Sequence, residues 1–187
     1  MTKIGLQNIF SVPIFTSFLS KTLVDKMEEL VIPKLHLLTR YEDQSNDFYD
    51  SNRIISPTEV EDLFREIDDK VLAYTKTSNF TTSDKVDYWI QNYQSNDYHR
   101  SHSHAHSYIS GVYYIRANKN AGSLRFTNPN PYLYSSVYDI PLEDKMYYDI
   151  QPQKGLLVIF PSYLIHEVIP SKEKDVERTS LAFNYVH

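Results

Sequence analysis

The sequence contains no cysteine, which excludes disulfide frameworks, thiolate nucleophiles, iron–sulfur clusters and thiolate zinc sites together. Any metal must be held by histidine and carboxylate. Glycine is scarce, with four residues in 187 against sixteen tyrosines, and a hydrophobic fraction of 41% supplies the apolar surface that disordered chains lack. Basic runs are missing too. Nineteen Lys and Arg stand against twenty-four Asp and Glu, a formal charge of -5, which disfavours tracking of a nucleic-acid backbone. No stretch approaches the roughly 18 apolar residues of a membrane span. The opening MTKIGLQNIFSVPIF lacks the apolar region of a signal peptide. The expectation is a soluble, intracellular, cytoplasmic protein with neither membrane nor nucleic acid as partner.

At 187 residues the chain has the usual size of one domain. Its two halves differ in character. Residues 1–82 read as a helical support segment, and residues 83–187 as a β-rich core. Leu19, Leu23, Met27, Leu30 and Val31 recur at helical spacing until Pro33 stops the pattern. A second helix is expected to start at Ser56-Pro57-Thr58-Glu59, a capping-box pattern, with Val60, Phe64, Ile67 and Val71 on one face. Residues 40–53 and Thr75 to Ser83 read as polar loops. Strand candidates follow at Val86–Tyr93, Tyr108–Ile115, Ser123–Thr127, Met146–Ile150, Leu156–Phe160, Tyr163–Val168 and Thr179–Val186. Short strands separated by Pro and Gly turns predict an antiparallel sandwich, barrel or jelly roll.

The strongest chemical signal is His99-Arg100-Ser101-His102-Ser103-His104-Ala105-His106, four of the seven histidines within eight positions. In an extended segment, neighbours two apart lie about 6.6 Å from each other on one side, close enough to share an ion, whereas His102 and His106 are too distant. Either the 102/104 or the 104/106 pair therefore qualifies, completed by a third ligand from elsewhere. His166 is the natural third. Neutral imidazoles suit Fe, Zn, Cu or Ni. The plain alternative is a solvated loop that binds metal adventitiously. Arg178 with Ser180, leading into the last strand, has the planar fork and the hydroxyl of a carboxylate clamp. Its plain alternative is a strand-end surface ion pair.

In order along the chain, His102-x-His104, Ser110-Gly111-Val112-Tyr113-Tyr114, Gly122-Ser123-Leu124-Arg125-Phe126, Gly155 to Pro161, His166 and Arg178-Thr179-Ser180-Leu181-Ala182-Phe183-Asn184 resemble the 2-oxoglutarate and Fe(II)-dependent oxygenases. The resemblance is to a family of bacterial and phage oxygenases distantly similar to prolyl hydroxylases. It covers roughly residues 85 to 187, and Ile9 to Ile14 also look like that family's start. It implies a double-stranded β-helix (jelly roll, cupin-like) that holds Fe(II) and the co-substrate 2-oxoglutarate. It also implies oxidative decarboxylation coupled to hydroxylation of a C–H bond. Carried over, His102, His104 and His166 are the catalytic metal ligands, and Arg178 with Ser180 binds the distal carboxylate. Tyr114 matches a tyrosine that assists that clamp, although sheet packing explains it equally. Trp89 and Asn92 resemble a Trp-x-x-Asn strand whose Asn lines the pocket.

One departure stands out, because the family's usual triad carries Asp or Glu where this chain has His104. A neutral ligand there leaves more positive charge on the iron. Asp97 and Glu167 are the carboxylates on offer as substitutes, but Asp97 lies far along the motif and Glu167 should point away from His166. Three histidines are therefore expected. Two competing readings remain: a cupin-like three-His iron dioxygenase without 2-oxoglutarate, and a non-enzymatic jelly-roll binding module. The substrate, a small molecule or a peptide, is left open. Loops 94–101 and 128–145, with Tyr132, Tyr134 and Tyr138, are candidates for selecting it. Exposed strand edges make a homodimer compatible with the sequence.

Overall fold

The computed structural model describes residues 11–42, 46–51, 54–130 and 146–187. Leu23, Val24, Met27 and Val31 bury one face of helix α1 (Lys21–Val31). Pro33 then sits in the first turn of a 3-10 helix, Ile32–Leu37, so the proline converts the helix rather than opening a loop. Helix α2 (Glu61–Ser78) differs from expectation at both ends. Glu59 accepts from the Ser56 backbone N–H at 2.7 Å and from its hydroxyl at 2.9 Å, but these bonds close a separate turn. Val60, at φ -106° and ψ 5°, is not helical, and the helix begins one residue later. At the other end the Thr-rich stretch stays helical, with Thr75 and Thr77 donating to the carbonyls of Leu72 and Ala73. Asn79, left-handed at φ 57°, ends it.

The strands are β1 (Phe15–Phe18), β2 (Thr39–Glu42), β3 (Asn46–Ser51), β4 (Val86–Tyr93), β5 (Tyr98–His102), β6 (Ser107–Ala117), β7 (Leu124–Thr127), β8 (Tyr147–Ile150), β9 (Leu156–Pro161), β10 (His166–Val168) and β11 (Arg178–Val186). Among the described residues they form one antiparallel sheet in the order β1-β9-β6-β11-β4-β3-β5-β10-β7-β8, with β2 beside β3. The stretch 40–53, read as a loop, instead supplies most of β2 and all of β3, and β3 bridges β4 to β5. Its polar composition carries no alternating signal, because the strand is recruited through its backbone. Tyr163 to Ile165, expected as strand, form a turn ahead of β10.

Strands β6, β9 and β11 are buried almost throughout because both of their faces are covered. On one face Ile109, Tyr113, Ile115, Leu157, Ile159, Leu181, Phe183 and Tyr185 form a core with α1 and α2. On the other, Val112, Tyr114, Val158 and Phe160 meet Leu124, Phe126 and Leu164 from the opposing layer. This is the jelly roll expected from the sequence. Gly111 faces Phe183 across the ladder, and a Cβ there would lie 2.2 Å from the Phe183 ring. Gly155, at φ 84°, makes the turn into β9. No described helix is long and apolar enough to cross a membrane.

Candidate metal centre

Two strands and a turn bring the histidines together. His102 closes β5 and His166 opens β10, and the two pair directly across the β5–β10 ladder. After His102 the chain turns, and the backbone N–H of His104 donates to the Ser162 carbonyl at 2.9 Å, which fixes the turn against the end of β9. One ring nitrogen from each of His102, His104 and His166 then lies within 4.8 Å of the others. Of the two pairs open in the sequence, the fold selects 102/104. His106 is exposed.

Burial lowers the basicity of all three rings, and their mutual proximity adds to the effect at His104 and His166. His102 is held below the ordinary histidine range, His104 is pushed down to about 4, and His166 is held well below the ordinary histidine range. Neutral imidazoles result, as cation binding requires. The Nδ1–H of His102 donates to the Arg100 carbonyl at 2.7 Å, and that of His166 to the Leu164 carbonyl at 2.8 Å. Carbonyl oxygens only accept, so in both rings Nε2 keeps its lone pair for a metal.

Neither candidate carboxylate is available to the centre. Asp97 is gripped by Arg40 through two 2.9 Å bonds and accepts the Gln94 backbone N–H at 2.7 Å. Glu167 lies between its inward neighbours His166 and Val168 and is absent from the cavity wall.

The cavity beside the histidines is lined by Trp89, Gln91, Tyr93, His99, Arg178 and Asn184, among others. Arg178 is only 2% exposed. Its guanidinium carbon lies 4.2 Å from the centre of the Tyr93 ring and 5.3 Å from that of Tyr114. Nε and Nη1 of Arg178, the Tyr114 hydroxyl and Ser180 Oγ are buried without a hydrogen-bond partner among the described residues. Ser180 stands opposite Tyr114 in the β6–β11 register, which explains their convergence. A buried cation with unused donors, flanked by two unused hydroxyls, matches the chemistry of a carboxylate.

Asn92 is corrected. Alternation along β4 points Trp89, Gln91 and Tyr93 into the cavity and turns Asn92 to the other face, where it accepts from Thr179 Oγ1 at 2.8 Å. Two residues that carry no assigned role in the sequence also line the cavity. His99 stacks on His102 at 4.0 Å between ring centres. Asn184 approaches Nδ1 of His104 at 3.4 Å. Stepping by two from Arg178 would have reached Asn184, but nothing in the sequence pairs His99 with His102. Tyr132, Tyr134, Tyr138 and most of the loop 128–145 lie outside the described residues.

The family described as "Putative 2OG-Fe(II) oxygenase" matches residues 87–184, more than half of the chain. The chain belongs to the 2OG-Fe(II) oxygenases. It is therefore an enzyme, and the oxygenase works with Fe(II) and 2-oxoglutarate. Solved structures agree on the fold. A prolyl-4-hydroxylase of Pseudomonas putida has a TM-score of 0.69 at 18% identity, covering 95% of this chain and 94% of its own. A prolyl hydroxylase of Trichoplax adhaerens, in complex with a hypoxia inducible factor peptide fragment, gives 0.65 at 13%, over 93% and 82%. The viral collagen prolyl hydroxylase of Paramecium Bursaria Chlorella virus-1, as a 2OG complex, gives 0.59 at 17%, over 92% and 96%. No curated protein matches.

Proposed function

We propose that His102, His104 and His166 hold the Fe(II) of this oxygenase and that Arg178, with Tyr114 and Ser180, receives the distal carboxylate of 2-oxoglutarate. The observation that carries the reading is the convergence of three neutral imidazoles beside a buried guanidinium whose Nε and Nη1 have no hydrogen-bond partner among the described residues. The donor set fits Fe(II), which accepts imidazole, and three ligands leave positions open for a chelating co-substrate and dioxygen. Together with dioxygen, the bound iron and co-substrate supply oxidative decarboxylation to succinate and carbon dioxide and the oxidation of a substrate C–H bond.

The protein's part is placement. Arg178 supplies charge and two donors, Nε and Nη1, Ser180 and Tyr114 add hydroxyl contacts, and the two tyrosine rings hold the guanidinium in position. Burial keeps water away from the reacting groups. Trp89, Gln91 and His99 line the same cavity and are proposed to face the substrate. We assign the substrate to the peptides or amino-acid-like small molecules, which is supported by the likeness to a prolyl hydroxylase solved with a peptide. The chain is proposed to act as one domain, with residues 1–82 supporting a catalytic core of residues 83–187. In support, β1 pairs with β9, and both helices share a core with β6, β9 and β11.

The test is an anaerobic titration of metal-free protein with Fe(II) and then 2-oxoglutarate, following the visible charge-transfer band of the chelate. Saturation near one equivalent is expected. Tight iron binding without a band would sink the clamp, and no stoichiometric iron would sink the centre. Succinate release with proline-containing peptides then checks the substrate class.

A further inference from the structure

His102 and His166 each have a backbone carbonyl behind the ring, and His104 does not. Behind His104 stands the side-chain amide of Asn184, whose Nδ2 lies 3.4 Å from the ring's Nδ1. This contact is longer than the 2.7 and 2.8 Å bonds that hold the other two rings. Asn184 Oδ1 accepts from Ser110 Oγ at 2.7 Å, and Ser110 Oγ meets Ser162 Oγ at 2.8 Å. Asn184, Ser110 and Ser162 are 8%, 1% and 0% exposed, so the chain of bonds is shielded from solvent.

The orientation of the amide has a chemical consequence. An amide N–H donates, so it makes His104 Nδ1 an acceptor, and the single ring proton of a neutral imidazole must then sit on Nε2. A protonated nitrogen cannot ligate a cation. With Nδ1 facing Asn184, Nε2 is the nitrogen left for the metal, and this tautomer withholds it.

We propose that Asn184 is a positioning residue that sets the tautomer of His104, and that loading a divalent cation turns the Asn184 amide over and reverses the Asn184–Ser110–Ser162 hydrogen-bond chain. Without metal, Ser162 donates to Ser110, Ser110 to Asn184 Oδ1, and Asn184 Nδ2 to His104 Nδ1. With metal, His104 Nδ1–H donates to Asn184 Oδ1, Asn184 Nδ2 to Ser110, and Ser110 to Ser162. The ring is neutral with one proton in both states, and only the nitrogen that carries it changes. Each of the three contacts has a donor and an acceptor in either direction, and the loaded direction leaves the Ser162 hydroxyl proton at the end of the chain, which makes the chain a two-state element biased by the ring.

The inference rests on His102, His104 and His166 as the metal centre. It also follows from the departure at position 104, since a carboxylate has no tautomer to set and a histidine does. Chains of buried hydroxyls and amides couple over several residues in this way.

The experiment uses the full chain labelled with 15N-histidine and reads the protonated ring nitrogen from long-range 1H–15N correlations, before and after one equivalent of Zn(II). Loss of a signal in His104→Gln assigns that ring. His102 and His166 are expected to carry the proton on Nδ1 throughout, while His104 moves it from Nε2 to Nδ1 on loading. A proton already on Nδ1 of His104 without metal, or a metal-bound Nδ1, overturns the proposal. If Zn(II) shifts none of the three rings, the metal centre itself fails. Shifts at His102 and His166 with His104 unchanged sink the tautomer alone. Calorimetric Zn(II) binding adds a second readout. Asn184→Asp keeps an acceptor and should bind at least as tightly as the native chain, whereas Asn184→Leu, with none, should bind about tenfold more weakly or worse. Equal affinity in the two variants refutes the role. Should Asn184→Leu fail to fold, the correlations on the native chain decide.

Discussion

Replacing Arg178 with methionine separates binding from folding. The guanidinium is 2% exposed and lies over two tyrosine rings, at 4.2 and 5.3 Å. Each desolvated cation–π contact is worth about 2 kcal/mol, whereas an unneutralised ion in a protein interior costs several kcal/mol. The two nearly offset one another. Arg178→Met, which keeps an unbranched apolar stem and removes the charged head, should therefore leave the ligand-free melting temperature within a few degrees of the native value. Co-substrate binding behaves differently. Truncating one partner of a buried charge pair costs about 2 to 5 kcal/mol, roughly 30-fold to several-thousand-fold in affinity.

The assay is thermal unfolding of metal-loaded protein under anaerobic conditions, with and without 2-oxoglutarate. At about 100 times its dissociation constant a ligand adds about 2.7 kcal/mol, which for a chain of this size raises the midpoint by roughly 5–10 °C. At the same concentration a 30-fold weaker variant gains less than about 1 kcal/mol and shifts by under about 4 °C. An undiminished shift in Arg178→Met would refute the clamp. A collapse of the ligand-free protein would show instead that the cation is structural.

Three further outcomes are expected. His166→Ala removes the imidazole contributed by β10 and should abolish stoichiometric Fe(II) binding, and full metal content in the purified variant would exclude His166 from the centre. The three histidines have lower basicity folded than unfolded, so the unfolded chain takes up more protons as pH falls. Stability of the metal-free protein should therefore decline as pH drops below about 6.5, continuing towards about 4 for His104, whose share is about 3 kcal/mol. Urea midpoints that are the same at pH 7 and pH 5 would contradict this. Gly111→Ala pushes a methyl to 2.2 Å from the Phe183 ring and should cost about 1–3 kcal/mol, read from the urea midpoint. A neutral result would mean that the ring has room to move.

Much of the architecture was legible because each signal was local. Both helices and seven of the strands announced themselves through period, proline and β-branched runs, and β4 ran over Val86–Tyr93 as expected. Four strands left no such trace. β2 and β3 are polar segments held by backbone pairing, β5 is mostly His, Arg and Ser, and β1 is four residues long. The start of α2 was misplaced because a capping-box sequence closes a turn as readily as it opens a helix, and only the backbone angles at Val60 distinguish the two.

By itself the sequence determined the chemistry on offer. Without cysteine, and with His102, His104, His166 and Arg178 in that order, the chain had the donor types of an iron and 2-oxoglutarate site and little else of comparable strength. The tertiary structure decided which of them meet. Sheet register set His102 against His166, the bond from His104 to the Ser162 carbonyl chose the 102/104 pair, and the Arg40 clamp withdrew Asp97. Pleat alternation turned Asn92 out and Asn184 in. Each of these depends on contacts between residues far apart in the chain, which local pattern does not encode.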